Sequence, residues 1–145
     1  MLLLVLFDMA PDEYEQAVMQ LMQSEYESGY GWVKTDDVFD GTIVDFYFDG
    51  PGEAALRLLQ HGRLSSRAIE ILMQYARSFY PEQRRRASLL FDRFDGIPAY
   101  DPEPQPQTIN ETPEITPKQT AAIERWLQEN IDRLRWSQEI NAYLK

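Results

Sequence analysis

Residues 1–7, MLLLVLF, form an unbroken apolar run that Asp8 closes. A run so short and so uniformly apolar predicts a strand buried on both faces. Pro11 then fits a first helical position, with Asp12 and Glu13 in the turn where the helix dipole favours acids. Tyr14, Ala17, Val18, Leu21 and Met22 recur at helical spacing, so a helix is expected to run to about Glu27, short of Gly29 and Gly31.

Residues 30–34 read as a short strand. Residues 42–48 alternate, with Val44, Phe46 and Phe48 on one side and Ile43, Asp45 and Tyr47 on the other, the clearest strand pattern in the chain. Between them TDDVFDG forms an acidic turn, and Asp49-Gly50-Pro51-Gly52 is a strong break. A short helix over 53–60 is interrupted at His61-Gly62. Ser65 or Ser66 can cap the next helix, which carries Ile69, Leu72, Ala76 and Phe79 on one stripe and stops at Pro81. The segment 84–94, RRRASLLFDRF, fits either a helix begun at Pro81 or an edge strand, where charge discourages unwanted pairing; the edge strand is the expectation.

The expected order is strand, helix, strand, strand, helix, strand. The fold class is therefore α+β, with a ferredoxin-like βαββαβ body over residues 1–97. Its first and third strands, the most apolar, would be central. Six of the nine prolines fall in 98–117, so residues 98–116 are expected to form a polyproline-like tether. Thr116, Pro117 and Gln119 make a helix start, and residues 117–145 are expected to form a long amphipathic C-terminal helix. On that helix Ile123, Trp126, Leu127, Ile131 and Leu134 share one face, while Trp136, Ile140 and Tyr143 point to nearly the opposite side. One stripe would dock on the body and the other would meet a partner, or exchange between two copies in a homodimer.

Composition narrows the chemistry. Hydrophobic residues make up 43% of the chain, enough for it to fold. The chain has no cysteine, which excludes disulfides, thiolate metal sites and cysteine nucleophiles and suits a reducing, cytoplasmic setting. The apolar start lacks the basic flank of a signal peptide. His61 is the only histidine and reads as a solvated turn residue. No phosphate loop, nucleophile elbow, zinc motif or dinucleotide fingerprint occurs, so no cofactor and no catalytic residue is expected.

The formal charge is −10, and residues 1–60 hold 12 acids against Lys34 and Arg57. That field repels nucleic acid and suits a basic protein, or one that itself binds nucleic acid. The acidic turn fails as a calcium loop, because Val38 stands where an EF-hand wants Asp or Asn. The expected function is thus a non-enzymatic acidic protein-binding module, of inhibitor, immunity-protein, antitoxin or assembly-adaptor character. Its contact residues would be Asp36, Asp37, Asp40, Asp45 and Tyr47 on the hairpin, with Trp126, Trp136, Ile140 and Tyr143 on the terminal helix. Two other readings fit less well: a nucleic-acid mimic, and a small enzyme or ligand binder with its site on the open sheet face.

Overall fold

The structure is a computed structural model, and it describes residues 2–24, 30–35, 44–78, 80–102 and 117–145; over 30–35 and 44–49, and at Pro117, only the backbone is described. Among these residues it is mainly helical. In chain order it has α1 (Leu2–Met9), α2 (Pro11–Gln23), β1 (Tyr30–Thr35), β2 (Val44–Asp49), α3 (Gly50–Gln60), α4 (Ser66–Ala76), α5 (Pro81–Phe91), α6 (Pro117–Asn130), β3 (Arg135–Ser137) and β4 (Ala142–Leu144). The strands form two separate two-stranded antiparallel ladders, β1 with β2 and β3 with β4. This overturns the ferredoxin-like expectation: among the described residues no four-stranded sheet is built.

Three local differences account for the correction. The run at the N-terminus is helix, not strand. It contains four leucines and one β-branched residue, and leucine is a strong helix former. Uniform apolarity carries no period, so pattern alone could not decide it. The segment after Pro81 is also helix. Pro81 opens α5 with Glu82 in its first turn, and Arg84, Ala87, Leu90 and Phe91 are buried at helical spacing. The inward position of Arg84 hid that stripe, because arginine reads as a surface residue.

The long C-terminal helix is the third correction. α6 stops at Asn130, whose buried side-chain amide donates to the Trp126 carbonyl at 2.7 Å. The chain then turns through Leu134 into the β3–β4 hairpin, with Asn141 at φ 51° in the connection. Asparagine tolerates this left-handed conformation better than most residues. The mid-helix shift of apolar phase therefore marks a change of period, from helix to strand.

Other features follow the sequence. Pro11 opens α2 with Asp12 and Glu13 in its first turn. The β1–β2 hairpin pairs Tyr30 with Asp49 through to Thr35 with Val44. The Ser65 hydroxyl caps α4 by accepting from the Ala68 amide at 3.2 Å. Pro117 opens α6. Residues 103–116, most of the expected tether, lie outside the described residues.

The chain divides into two compact units, Met1–Leu58 and Leu59–Lys145, with the boundary inside α3. In the first unit α1 packs on α2, and Leu4, Phe7, Val18, Met22, Ala54 and Leu56 are buried. Arg57 of α3 forms an ion pair with Asp8 at the end of α1. In the second unit α4 packs against both α5 and α6, and its buried face includes Ile69, Leu72, Met73 and Ala76.

The second unit is closed by its C-terminal hairpin. Tyr143 is 1% exposed, and its hydroxyl donates to the Leu59 carbonyl at 2.7 Å. Its backbone amide donates to the Arg93 carbonyl at 2.7 Å and its carbonyl accepts from the Asp95 amide at 3.0 Å. Its ring stacks on Phe94 with centroids 4.5 Å apart and meets Trp136 edge-on at 4.9 Å. The indole of Trp136 lies directly over Gly62, whose φ is +81°.

A Cβ at Gly62 would collide with the indole and would also have to adopt a left-handed backbone. Gly62→Ala should therefore lower unfolding free energy by about 2–4 kcal/mol, from overpacking plus backbone strain. Urea denaturation checks this; a change below about 0.5 kcal/mol, the usual size for a surface substitution, would show that the indole does not rest on Gly62.

Candidate functional site

The residues expected at the site fall into three groups. Asp36, Asp37 and Asp40 lie outside the described residues. Asp45 and Tyr47 are on β2, where the ladder sets them opposite Lys34 and Trp32. Trp126, Trp136 and Tyr143 are brought together by the second unit, with Phe94 between Trp126 and Tyr143 and Trp136 against Tyr143. Trp126 is half-buried and stands edge-on to Phe94 with centroids 6.5 Å apart, while the Lys145 ammonium sits 5.1 Å from its ring centre. These aromatics hold the C-terminal hairpin in place, and Tyr143 presents no surface. Ile140 alone of this group is well exposed, at 59%.

The open sheet face expected to hold a ligand depended on four strands, so the fold does not supply it. Among the described residues no group of three or more His, Cys, Asp or Glu side chains could hold a metal ion. The arginine run is also dispersed. Arg84 is buried, donating from Nε to the Pro102 carbonyl at 3.1 Å and from a terminal nitrogen to the Ser78 carbonyl at 3.0 Å. Arg85 pairs with Glu82 at 3.2 Å.

Among the described residues two surfaces stand out, one on each unit. The first is α1. Leu2, Val5 and Met9 are 72%, 50% and 78% exposed, while Leu4 and Phe7 on the other side are buried. The exposed positions are spaced three and four residues apart, so they form one stripe along the helix. This stripe belongs to the acidic unit: residues 1–58 hold 12 acids and two bases, a net −10, whereas residues 59–145 hold 12 of each and are neutral.

The second surface is a groove of about 580 Å³ between α4 and α6. Ile69, Met73, Leu127 and Ile131 form its apolar floor. Gln74 and Gln128 stand on its two walls, Glu70 and Glu124 do the same, and Arg77 reaches across to pair with Glu124. Sequence reasoning had found the stripes containing Ile69, Leu127 and Ile131. It could not find the groove, which needs two helices some 50 residues apart to lie side by side.

Comparison with known protein families, curated proteins and solved structures returns no match. Among the described residues no helix is long and apolar enough to cross a membrane.

Among the described residues two tyrosines are shifted. Burial pushes the Tyr100 phenol up to about 12, with Arg84 opposing and Asp101 adding to the shift; its hydroxyl donates to the Ala76 carbonyl at 2.7 Å. Burial likewise pushes Tyr143 up, against Arg63 and Arg93. The ordinary phenol value is 10.0, so an unfolded chain loses these protons at a pH where the folded chain keeps them. The stability from Tyr100 is complete below pH 10 and is lost as the pH rises towards about 12. The melting temperature of the wild type should fall across that window, and less steeply for Tyr100→Phe. Parallel slopes for the two proteins would refute the assignment.

Proposed function

We propose that this chain is a non-enzymatic protein-binding module whose acidic unit docks on a basic protein partner. The observation that carries the reading is the coincidence, in Met1–Leu58, of the whole net charge of −10 with the exposed stripe Leu2, Val5 and Met9. Asp12 and Glu13, exposed at the start of α2, follow the stripe closely in the chain, although part of their role is to satisfy the helix dipole.

Magnitudes favour a basic partner over a second copy. Covering the exposed parts of three aliphatic side chains contributes about 1–2 kcal/mol each. Association costs at least about 4 kcal/mol in lost translational and rotational freedom. The stripe alone barely offsets that, so electrostatic complementarity must add to it. Two copies would instead bring two fields of −10 together. A basic partner gains from the same field, in encounter rate and in rejection of wrong partners.

The test is capture from a lysate at low and high salt, followed by titration of the purified captured protein against wild type and a Val5→Glu, Met9→Glu variant. A basic protein should bind at low salt, weaken strongly at high salt, and bind the variant about tenfold or more weakly, the effect of losing an apolar anchor. Binding only to neutral or acidic proteins, or binding indifferent to salt and to both substitutions, would overturn the reading.

A further inference from the structure

We infer that the exposed seam of α1 takes a single basic amphipathic helix of the partner, packed alongside it; the inference rests on the proposed docking of the acidic unit and specifies the element that makes the contact.

The width and spacing of the seam select a helix. Leu2, Val5 and Met9 stand three and then four residues apart, the spacing of successive apolar positions in a heptad. At 100° per residue they fall within about 60° of one another, a narrow seam of the kind two helices share. Leu4 and Phe7 point the other way and are buried. A lipid surface needs a broader apolar face with basic flanks. An added strand needs an open sheet edge, whereas most amides and carbonyls of a helix bond within it. One helix, setting side chains at the same three- and four-residue spacing between these three, covers the seam over the length of α1, about 12 Å.

The seam has apolar surface to bury and a fixed backbone. Its three side chains are 72%, 50% and 78% exposed. α1 packs on α2, and the Asp8–Arg57 ion pair ties its end to α3, so its course is set before a partner arrives.

The charge of the unit selects the sign of the incoming helix. Residues 1–33 hold six acids and no lysine or arginine, and the whole unit has only Lys34 and Arg57 to set against its 12 acids. The surplus cannot be balanced within the unit. Lysines or arginines beside the incoming apolar row can lay their aliphatic stems against the seam and carry their charge into this field. An acidic helix would enter a field of its own sign. So would a second copy, whose α1 offers the same seam with no base in residues 1–33 to flank it.

The test uses the full chain and three fluorescent synthetic peptides, with binding read by anisotropy. One sets leucine and lysine in helical period, one alternates the same composition in strand period, and one sets leucine and glutamate in helical period. The leucine–lysine helix should bind, the strand-period peptide about tenfold or more weakly, and the leucine–glutamate helix not at all. Val5→Glu with Met9→Glu should weaken binding of the leucine–lysine helix about tenfold or more. Each substitution adds an acid, so an association held by charge alone would strengthen; weakening therefore reports the seam. Leu2→Gln serves if that double variant fails to fold. Leu89→Glu, at an exposed leucine of α5 in the second unit, should not weaken binding. No binding of the leucine–lysine helix, or binding that survives the seam substitutions, overturns the inference. Equal binding of the helix-period and strand-period basic peptides, both weakened by the seam substitutions, also overturns it but leaves the basic-partner reading standing. Equal binding of the leucine–lysine and leucine–glutamate helices overturns both.

Discussion

Tyr143 joins three stretches of chain that are remote in sequence. Its hydroxyl reaches Leu59 at the end of α3, its backbone pairs with Arg93 and Asp95 after α5, and its ring lies between Phe94 and Trp136. The energies are unequal. Each aromatic contact adds about 0.5–1.5 kcal/mol beyond the area it buries. A phenol left unsatisfied in the interior would cost about 1–3 kcal/mol. The Leu59 carbonyl therefore matters less as an attraction than as the group that makes a buried tyrosine tolerable. Once that bond fixes the ring, Trp136 has one place to go, and the turn beneath it must be glycine.

This lock bears on the groove through α6. At 100° per residue, Ile123, Leu127 and Asn130 form the buried row of α6, and Leu134, just beyond its end, is buried as well. Trp126 falls on one flank of that row, against Phe94. Glu124, Gln128 and Ile131 fall on the other flank and line the groove. The aromatic cluster thus holds α6 from one side and leaves its opposite flank presented. That explains why the tryptophans and tyrosine singled out as anchors are structural, while the less conspicuous glutamine and isoleucine face the opening. Aromatic character alone does not separate these roles, since a binding anchor and a core residue bury the same kind of surface.

What the sequence discloses follows from which signals carry a period. α2, the β1–β2 hairpin and the start of α4 were legible because proline, acid placement, alternation and a serine cap each act locally. α1 was not, because seven apolar residues in a row fit a buried strand and an apolar helix equally. α5 was misread because Arg84 is inside, where main-chain carbonyls satisfy it; a long-range arrangement supplied what composition argued against. At the C-terminus the shift of phase was seen, but a bent helix and a helix followed by a hairpin give the same shift. The pairing of Tyr143 with Leu59 decides between them, and 84 residues separate that pair. The groove has the same character: its two rows were visible singly, and their juxtaposition was not.

On the proposed reading, the charge and the apolar stripe of the first unit divide the work of recognition according to the range of the force each carries. A net charge of −10 confined to residues 1–58 acts over a Debye length of about 8 Å at physiological ionic strength, so it biases approach before surfaces touch. Fields of this kind chiefly raise association rate and penalise wrong partners. The second unit has no net charge and adds no net field at that range. The stripe Leu2, Val5 and Met9 acts only on contact, through apolar burial, and such contacts chiefly set how long a complex lasts. Salt that screens the charge and weakens encounter leaves that apolar contact at full strength.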